Sequence, residues 1–196
     1  MVAELNDNEV VSIVAADRIG FARLTRMAFN GIDLSPLWQR LMAQVADGTA
    51  DAGCALDLSL IAQLLGERET GLLIQAEALA FHQLYRSPCS VRPPRLRVLA
   101  LAAAIDMGGN MPIEFLLEDS GIEIQTLYVI DGMELPQRLP DHDVAIVVAS
   151  DSEECLSALR IIDRATIIEF GEPDASMRTA RADDDRKLCP GRDFGE

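Results

Sequence analysis

Apolar side chains recur every three or four residues through the first ninety positions, which is the spacing of amphipathic helices. The pattern predicts helices in four segments, 9–29, 35–47, 50–65 and 67–86. The first stripe is imperfect, and we expect it to break into two short helices near Gly20. These ninety residues are therefore predicted to form helical hairpins.

Turn residues mark the expected ends of these helices. Gly31, Gly48 and Gly66 each follow the last apolar position of a stripe, where a glycine commonly ends a helix. Ser35 suits an N-cap, and Pro36 suits the first helical position because its missing N–H would have no partner there.

The spacing of the apolar residues changes after a proline-rich stretch that includes Pro88, Pro93 and Pro94. Short continuous apolar runs at 97–104 and 122–130 are typical of strands buried on both faces. Further elements follow the same alternation: a strand at 143–150, helices at 112–120 and 151–165, and a fourth strand at 166–170. Strands that alternate with helices through short loops predict a parallel sheet built from βαβ units.

These patterns divide the chain into three parts. Residues 1–90 are predicted to be a helical domain and residues 91–170 an α/β domain, with the prolines as a linker between them. Residues 171–196 are polar, charged and aperiodic, and are predicted to be a disordered tail.

Segment 64–81, LLGERETGLLIQAEALAF, resembles a tetratricopeptide repeat. Gly66, Gly71, Ala78 and Leu79 stand where small and apolar residues of that repeat let two helices cross closely. The segment departs from the repeat at Arg68, where an aromatic residue is usual. The resemblance implies one tetratricopeptide-like hairpin, although solenoids need about three repeats to be stable.

From residue 72 to about residue 164 the amino-acid sequence is similar to the front half of bacterial proteins related to the ATP-grasp superfamily. The matching stretches are QAEALAFHQLYR, RPPRLRVLALAA, GGNMPIEFLLEDS and LPDHDVAIVVASDSEE. The resemblance implies an α/β fold with tetratricopeptide-like helices followed by a small, parallel-sheet, Rossmann-like pre-ATP-grasp domain. The catalytic domain that follows in that superfamily has no counterpart here, so we expect a truncated relative without the nucleotide site.

Charge and cysteine usage narrow the partners and the compartment. The net charge is −15, which disfavours nucleic acids and anionic membrane surfaces. The four cysteines form no CxxC motif, so neither a zinc site nor a disulfide framework is expected. The acidic N-terminus is unlike a signal peptide, and the longest apolar runs are too short to span a bilayer. We expect a cytoplasmic protein with a protein partner and no cofactor.

A loop after the first strand of the α/β part is the one candidate ligand site. Gly108, Gly109 and Asn110 lie between a predicted strand and a predicted helix, where backbone N–H groups can bind a ligand. The loop lacks phosphate-binding spacing, and Asp106 would repel a phosphate. A tight βα turn is the competing interpretation.

The other candidate residues favour ordinary structural roles. His142 stands between two aspartates, but neighbours on an extended chain point to opposite faces. The acids that follow at 151–154 suit the first turn of a helix, and His82 and Trp38 suit packing positions. The run 183–185 suits a solvated tail, so no catalytic or metal-binding residue is assigned.

The sequence thus favours a non-catalytic accessory or protein-interaction protein. The alternative is the substrate-binding part of a split, ATP-dependent ligase of the ATP-grasp type, which would require a catalytic domain on another chain. A third class is a small-ligand sensor that uses Gly108 and Gly109.

Overall fold

The structure is a computed structural model that describes residues 13–133, 135–136 and 138–170, with only the backbone for 166–170. The predicted disordered tail at 171–196 lies outside the described residues, as does the beginning of the first predicted helix.

Within the described residues the chain forms six α-helices and five strands. The helices are α1 (Phe21–Phe29), α2 (Ser35–Ala46), α3 (Ala52–Leu64), α4 (Arg68–Phe81), α5 (Ile113–Leu117) and α6 (Leu156–Phe170). The strands are β1 (Ala16–Asp17), β2 (Leu84–Arg86), β3 (Leu96–Ala103), β4 (Ile122–Val129) and β5 (Val144–Val147). One 3-10 turn, Glu153–Cys155, leads into α6.

The helix ends mostly follow the turn residues in the sequence. Gly31, Gly48 and Gly66 all have positive φ, between 67° and 92°, which confirms that they end α1, α2 and α3. The predicted cap at Ser35 is wrong because α2 already begins there. The carboxylate of Asp33 instead accepts a hydrogen bond from the Ser35 backbone N–H.

The five strands form one sheet in the order β1-β2-β4-β3-β5. β3 lies between β4 and β5 and runs parallel to both, as the alternation of strands and helices predicted. The prediction of a wholly parallel sheet is wrong, since β2 runs antiparallel to β4. The fold is therefore a mixed-sheet α/β fold, and its Rossmann-like character stays a prediction.

Three predicted elements take another form. The short helix predicted before Gly20 is wrong, because the described residues 13–20 contain β1 and no helix. The helix predicted for 67–86 ends at Phe81, and its last residues become β2. Burial explains this, because Leu84 packs on one face of the sheet with Leu99 and Leu127 while Tyr85 packs on the opposite face with Leu79. The strand predicted for 166–170 is also wrong, because these residues continue α6.

Helices cover both faces of the sheet. Tyr85, Thr126 and Ala102 mark the face that lies under α3, α4 and α5, called here the helical face. The opposite face packs against α6 through Ala103, Val129 and its neighbours. A separate apolar cluster joins α1, α2 and α3 to one another above the helical face. Among the described helices, none combines the length and apolar composition needed to cross a membrane.

The sheet spans the predicted domain boundary at residue 90. β1 and β2 come from the part predicted to be wholly helical, yet they join the same sheet as β3, β4 and β5. The separation into parts 1–90 and 91–170 stays a prediction, and shared strand pairing is now a physical reason for the two parts to fold together.

Two helix glycines permit close approaches in the helical layer. A Cβ on Gly53 of α3 would lie 1.8 Å from the carbonyl oxygen of Asp17, and a Cβ on Gly71 of α4 would lie 2.6 Å from the carbonyl oxygen of Ser59. Gly71 therefore lies at a close α3–α4 crossing, where the resemblance placed a small residue. The tetratricopeptide-like character of this hairpin stays a prediction.

Candidate functional site

A cavity of about 70 Å³ lies between the helical face of the sheet, α3 and the loop that joins β3 to α5. The sheet contributes the small side chains of Ala100 and Ala102, which are buried completely or nearly so. Leu56 and Leu60 of α3 face them across the cavity. The space exists because β3 carries alanines here.

A buried ion pair lines this cavity. Arg18, in the turn between β1 and α1, pairs with Glu114 of α5, and their side chains are 5% and 9% exposed. Tyr128 of β4 lies close enough to interact electrostatically with the guanidinium. Burial tends to lower the pKa of Arg18, but the attraction of Glu114, Tyr128 and Asp57 outweighs it and raises the pKa above its ordinary value.

Two carboxylates accept hydrogen bonds from backbone N–H groups at or just before the start of α1, and one of them is Glu114 of this pair. Glu114 accepts a hydrogen bond from the N–H of Ala22 at 3.1 Å, and Asp57 of α3 accepts from Ile19 at 2.6 Å and from Gly20 at 3.3 Å. Negative groups are favourable at a helix N-terminus. Burial raises the pKa of Asp57 to about 6, although the hydrogen bond from Ile19 and the charge of Arg18 oppose that rise.

One donor of the pair lacks a partner. Nε of Arg18 is buried and has no hydrogen-bond partner among the residues that the structure describes. Buried polar atoms of native proteins nearly always have a partner, so an unpaired one requires an explanation. Arg18 is therefore a side chain of the cavity lining whose hydrogen bonding is incomplete among the described residues.

The predicted ligand loop lies at the edge of the same cavity. Asn110 lines it, but the amide of Asn110 accepts from the N–H of Ala103 and donates to the carbonyl of Ala103, both at 2.9 Å. The N–H of Gly109 donates to the Asp106 carbonyl at 3.1 Å, and the N–H of Gly108 donates to the Asp106 side chain at 3.3 Å.

These bonds agree with a tight βα turn, the competing interpretation of the loop. A Cβ on Gly109 would lie 1.8 Å from Cδ1 of Ile105, so this glycine permits close packing within the turn. Asp106 also forms an ion pair with Arg68 at 2.8 Å. Ligand binding by Gly108, Gly109 and Asn110 themselves stays a prediction.

Apolar side chains surround the opening of the cavity. Met107, Met111 and Pro112 come from the β3–α5 loop, and Phe21 comes from the first turn of α1. The ring of Phe115 meets that of Phe21 edge-on, with centroids 5.5 Å apart. The cavity therefore has the Arg18 ion pair and further polar side chains, such as Gln75 and Thr126, in its lining, and apolar side chains at its opening.

The other sequence candidates do not converge on this cavity. Asp143 accepts from the backbone N–H of Arg97 at 2.7 Å, and His142 contacts the carbonyl of Pro140. His82 packs edge-on against the ring of Tyr85. Within the described residues no group of three or more His, Cys, Asp or Glu side chains is arranged to hold a metal ion.

A second candidate surface is the free edge of the sheet at β5. In the described part of the chain β5 pairs only with β3, so its other edge faces outward. Val144 and Val147 are 46% and 41% exposed, although both are large and apolar. Exposed acids stand at both ends of the strand: Asp141, Asp143, Asp151, Glu153 and Glu154.

Sequence reasoning missed the buried charges. Asp57 lies within ALDLSL, and every residue from Leu56 to Ala62 is buried. A charged residue inside an apolar stretch is a signal that could have drawn attention to it, because a buried charge needs a partner. Arg18 and Glu114 carry no such local signal, since they lie 96 positions apart.

Comparisons of the chain with protein-family models, with curated proteins and with solved structures found no match. The function proposed below therefore depends on the residues and geometry of this chain alone.

Proposed function

We propose that this chain is a non-catalytic accessory protein that binds another protein along the free edge of β5. The observation that carries the proposal is an exposed apolar edge strand between two groups of acidic side chains. The partner chemistry that fits is an extended segment with apolar residues in its centre and Arg or Lys at its ends.

The edge supplies the backbone groups for such a partner. An outer strand presents unpaired N–H and C=O groups, which serve as a template for an added strand. Proteins usually protect such edges with charged or proline residues, but residues 144–147 read VAIV. An added strand would pair with these backbone groups and cover the exposed Val144 and Val147.

Charge favours a basic partner over a second copy of this chain. The whole protein carries a net charge of −15, so two copies repel each other. The segment 141–154 contains no Lys or Arg and five acids: Asp141, Asp143, Asp151, Glu153 and Glu154. Of these, Asp141 lies 3.9 Å from the guanidinium of Arg97. Basic residues at the ends of an incoming strand would meet opposite charges, which speeds association and selects the register.

Synthetic peptides test the proposal directly. One peptide has a Val-Thr-Val-Thr-Val centre with two Arg at each end, the second replaces the Arg by Glu, and the third carries a central Pro that interrupts pairing. Fluorescence anisotropy should give binding of the Arg peptide with a dissociation constant of about 10–100 μM, and at least about tenfold weaker binding of the other two.

Charge reversal on the protein provides the matched control. The triple variant Asp151→Arg, Glu153→Arg, Glu154→Arg should weaken binding of the Arg peptide at least about tenfold. The triple variant Asp47→Arg, Glu69→Arg, Glu77→Arg reverses the same number of exposed charges outside the segment 141–154 and should leave binding nearly unchanged. Equal binding of all three peptides would contradict the proposal.

A split ATP-dependent ligase remains the second candidate, because one observation favours it. The cavity lies beside the carboxyl ends of parallel strands, where α/β proteins commonly bind small molecules. In this reading the chain supplies the substrate pocket and another chain supplies the nucleotide site.

A further inference from the structure

Two polar side chains in the lining of the cavity have incomplete hydrogen bonding. Thr126 of β4 and Gln75 of α4 both line the cavity and are only 6% and 7% exposed. The amide nitrogen of Gln75 donates to the carbonyl of Ile105 at 3.0 Å, whereas its side-chain oxygen and the hydroxyl of Thr126 have no hydrogen-bond partner among the described residues. Buried polar groups nearly always have a partner, so these two atoms indicate an occupant of the cavity.

Both atoms can be reached by an occupant. Four polar side-chain atoms of the described residues are sealed from water and unpaired, and Nε of Arg18 is one of them. The Thr126 hydroxyl and the Gln75 oxygen are unpaired but not sealed, so they keep surface open to a partner. A hydroxyl can donate or accept, whereas an amide oxygen only accepts. The occupant therefore needs at least one N–H or O–H donor.

The cavity continues into a groove at the surface. This groove measures about 500 Å³ and shares Phe21, Met107 and Pro112 with the cavity, while Phe115 lines the groove only. These four side chains form its apolar side, and the ion pair of Arg68 with Asp106 lies in the rest of its lining.

The sizes of the two spaces favour a molecule with two parts. One water needs about 10–15 Å³, so the cavity of about 70 Å³ holds a polar group of a few heavy atoms. The groove has room for a ring. Waters alone would fill the cavity and leave Phe115 and Met107 of the groove 37% and 38% exposed.

The charges around both spaces favour an uncharged molecule. Arg18 pairs with Glu114 in the cavity lining, and Arg68 pairs with Asp106 at 2.8 Å beside the groove. An added anion or cation would have to compete with these existing pairs for an opposite charge. A neutral polar group avoids that competition.

We propose that the cavity and the groove together bind an uncharged small molecule with a polar head and a flat apolar ring. The head, for example a primary carboxamide, donates to the side-chain oxygen of Gln75 and accepts from the hydroxyl of Thr126. The ring lies in the groove against Phe115. Residues 144–147 of β5 are not part of this lining, so the site adds a small-molecule partner to the protein partner proposed above.

Three probes test this site on the full chain. Benzamide has both the carboxamide and the ring, benzoate keeps the ring but is an anion without a donor, and acetamide keeps the carboxamide without the ring. The readout is the ¹H–¹⁵N signal of the Gln75 side-chain amide, together with the methyl signal of Thr126. We expect saturable shifts with benzamide at a dissociation constant of about 1–10 mM, and at least about tenfold weaker binding of the other two.

Variants test the two parts of the site separately, with the Gln75 amide as the readout. Thr126→Val keeps the shape but removes the hydroxyl and should weaken benzamide at least about fivefold, while Thr70→Val on the exposed surface of α4 should leave binding unchanged. Phe115→Ala removes the ring from the groove and should also weaken benzamide at least about fivefold. Its control is Phe81→Ala, at a position that is 91% exposed outside the groove.

Three outcomes would overturn the inference. One is the absence of a saturable shift with benzamide up to about 50 mM, which would show a water site only. The second is binding of benzoate as tight as that of benzamide. The third is unchanged benzamide binding in folded Thr126→Val or Phe115→Ala protein. None of these results bears on peptide binding at β5.

Discussion

At the scale of single residues, three buried charges connect parts of the chain that are distant in sequence. Arg18 lies before α1, Asp57 lies within α3, and Glu114 lies within α5. Glu114 both pairs with Arg18 and accepts a hydrogen bond from the N–H of Ala22 in the first turn of α1, so it joins the β3–β4 crossover to the helical layer. A buried charge that loses its partner is costly, which makes this network testable.

Glu114→Gln should destabilise the protein by about 3–5 kcal/mol, because it leaves the buried Arg18 without its opposite charge. The matched control is Glu118→Gln. Glu118 pairs with Arg26, but both side chains are more exposed, so this change should cost less than about 1 kcal/mol. Urea denaturation measures both variants. Equal losses would show that the buried pair has no special role in stability.

The carboxyl group of Asp57 should make stability depend on pH. Its pKa in the folded protein is raised to about 6, whereas the ordinary pKa of an aspartate is 3.8. The folded state therefore holds this proton more tightly, and the stabilisation is complete below about pH 3.8 and is lost as the pH rises through about 6. The total change is about 3 kcal/mol.

Asp57→Asn isolates this effect because it removes the titrating group. The difference in unfolding free energy between wild type and variant should shift by about 2–2.5 kcal/mol between pH 4 and pH 7, with wild type losing stability relative to the variant as the pH rises. Urea denaturation at several pH values measures this difference. A difference that stays constant with pH would contradict the raised pKa.

At the scale of secondary structure, the sequence predicted most helices and the three strands β3, β4 and β5, although β5 is shorter than the predicted 143–150. The residues that end helices, such as Gly48 and Gly66, act through local backbone geometry and can be recognised without tertiary information. β2 could not be recognised in this way. Leu84 and Tyr85 continue an apolar helical stripe, and only pairing with β4 makes them a strand.

The candidate site was less predictable for the same reason. Local sequence identified the loop 106–110, which lies at the edge of the cavity. The ion pair of Arg18 with Glu114 depends on tertiary contacts between distant segments, and no periodicity reports such contacts. The alanines of β3 suggest a buried strand in the sequence, but the cavity depends on what lies opposite them.

Close contacts at two helix glycines predict that replacing either glycine by alanine destabilises the protein. Gly→Ala inside a helix normally stabilises a protein by about 0.5–1 kcal/mol. At Gly53 and Gly71 the new methyl group would overlap backbone atoms at Asp17 and Ser59, so both changes should destabilise by about 1–3 kcal/mol. Thermal or urea denaturation gives the sign. Stabilisation at either position would show that the elements are packed less closely than described.

At the scale of the whole molecule, the first ninety residues and the rest of the chain contribute strands to the same sheet, and the whole chain is acidic. β1 and β2 connect the first ninety residues to the sheet. The whole chain carries a net charge of −15. The same charge that favours a basic protein segment disfavours polyanions. The net charge therefore favours a basic protein segment over a nucleotide as a partner.

The purified chain should bind Mg-ATP no more tightly than about 100 μM. Asp106 lies in the loop predicted for ligands, and the acidic surface repels a polyphosphate. Isothermal titration calorimetry measures this directly. A dissociation constant below about 100 μM would instead favour the ligase alternative.

Amide hydrogen exchange along β5 tests the central claim most directly. Without a partner, the outward N–H groups of residues 144–147 should exchange quickly, because they lie on the free edge of the sheet. Saturation with the Arg-flanked peptide should slow their exchange at least about tenfold, while N–H groups of the α1–α2 connection stay unchanged. Saturable peptide binding that leaves exchange at 144–147 unaltered would contradict strand addition at β5.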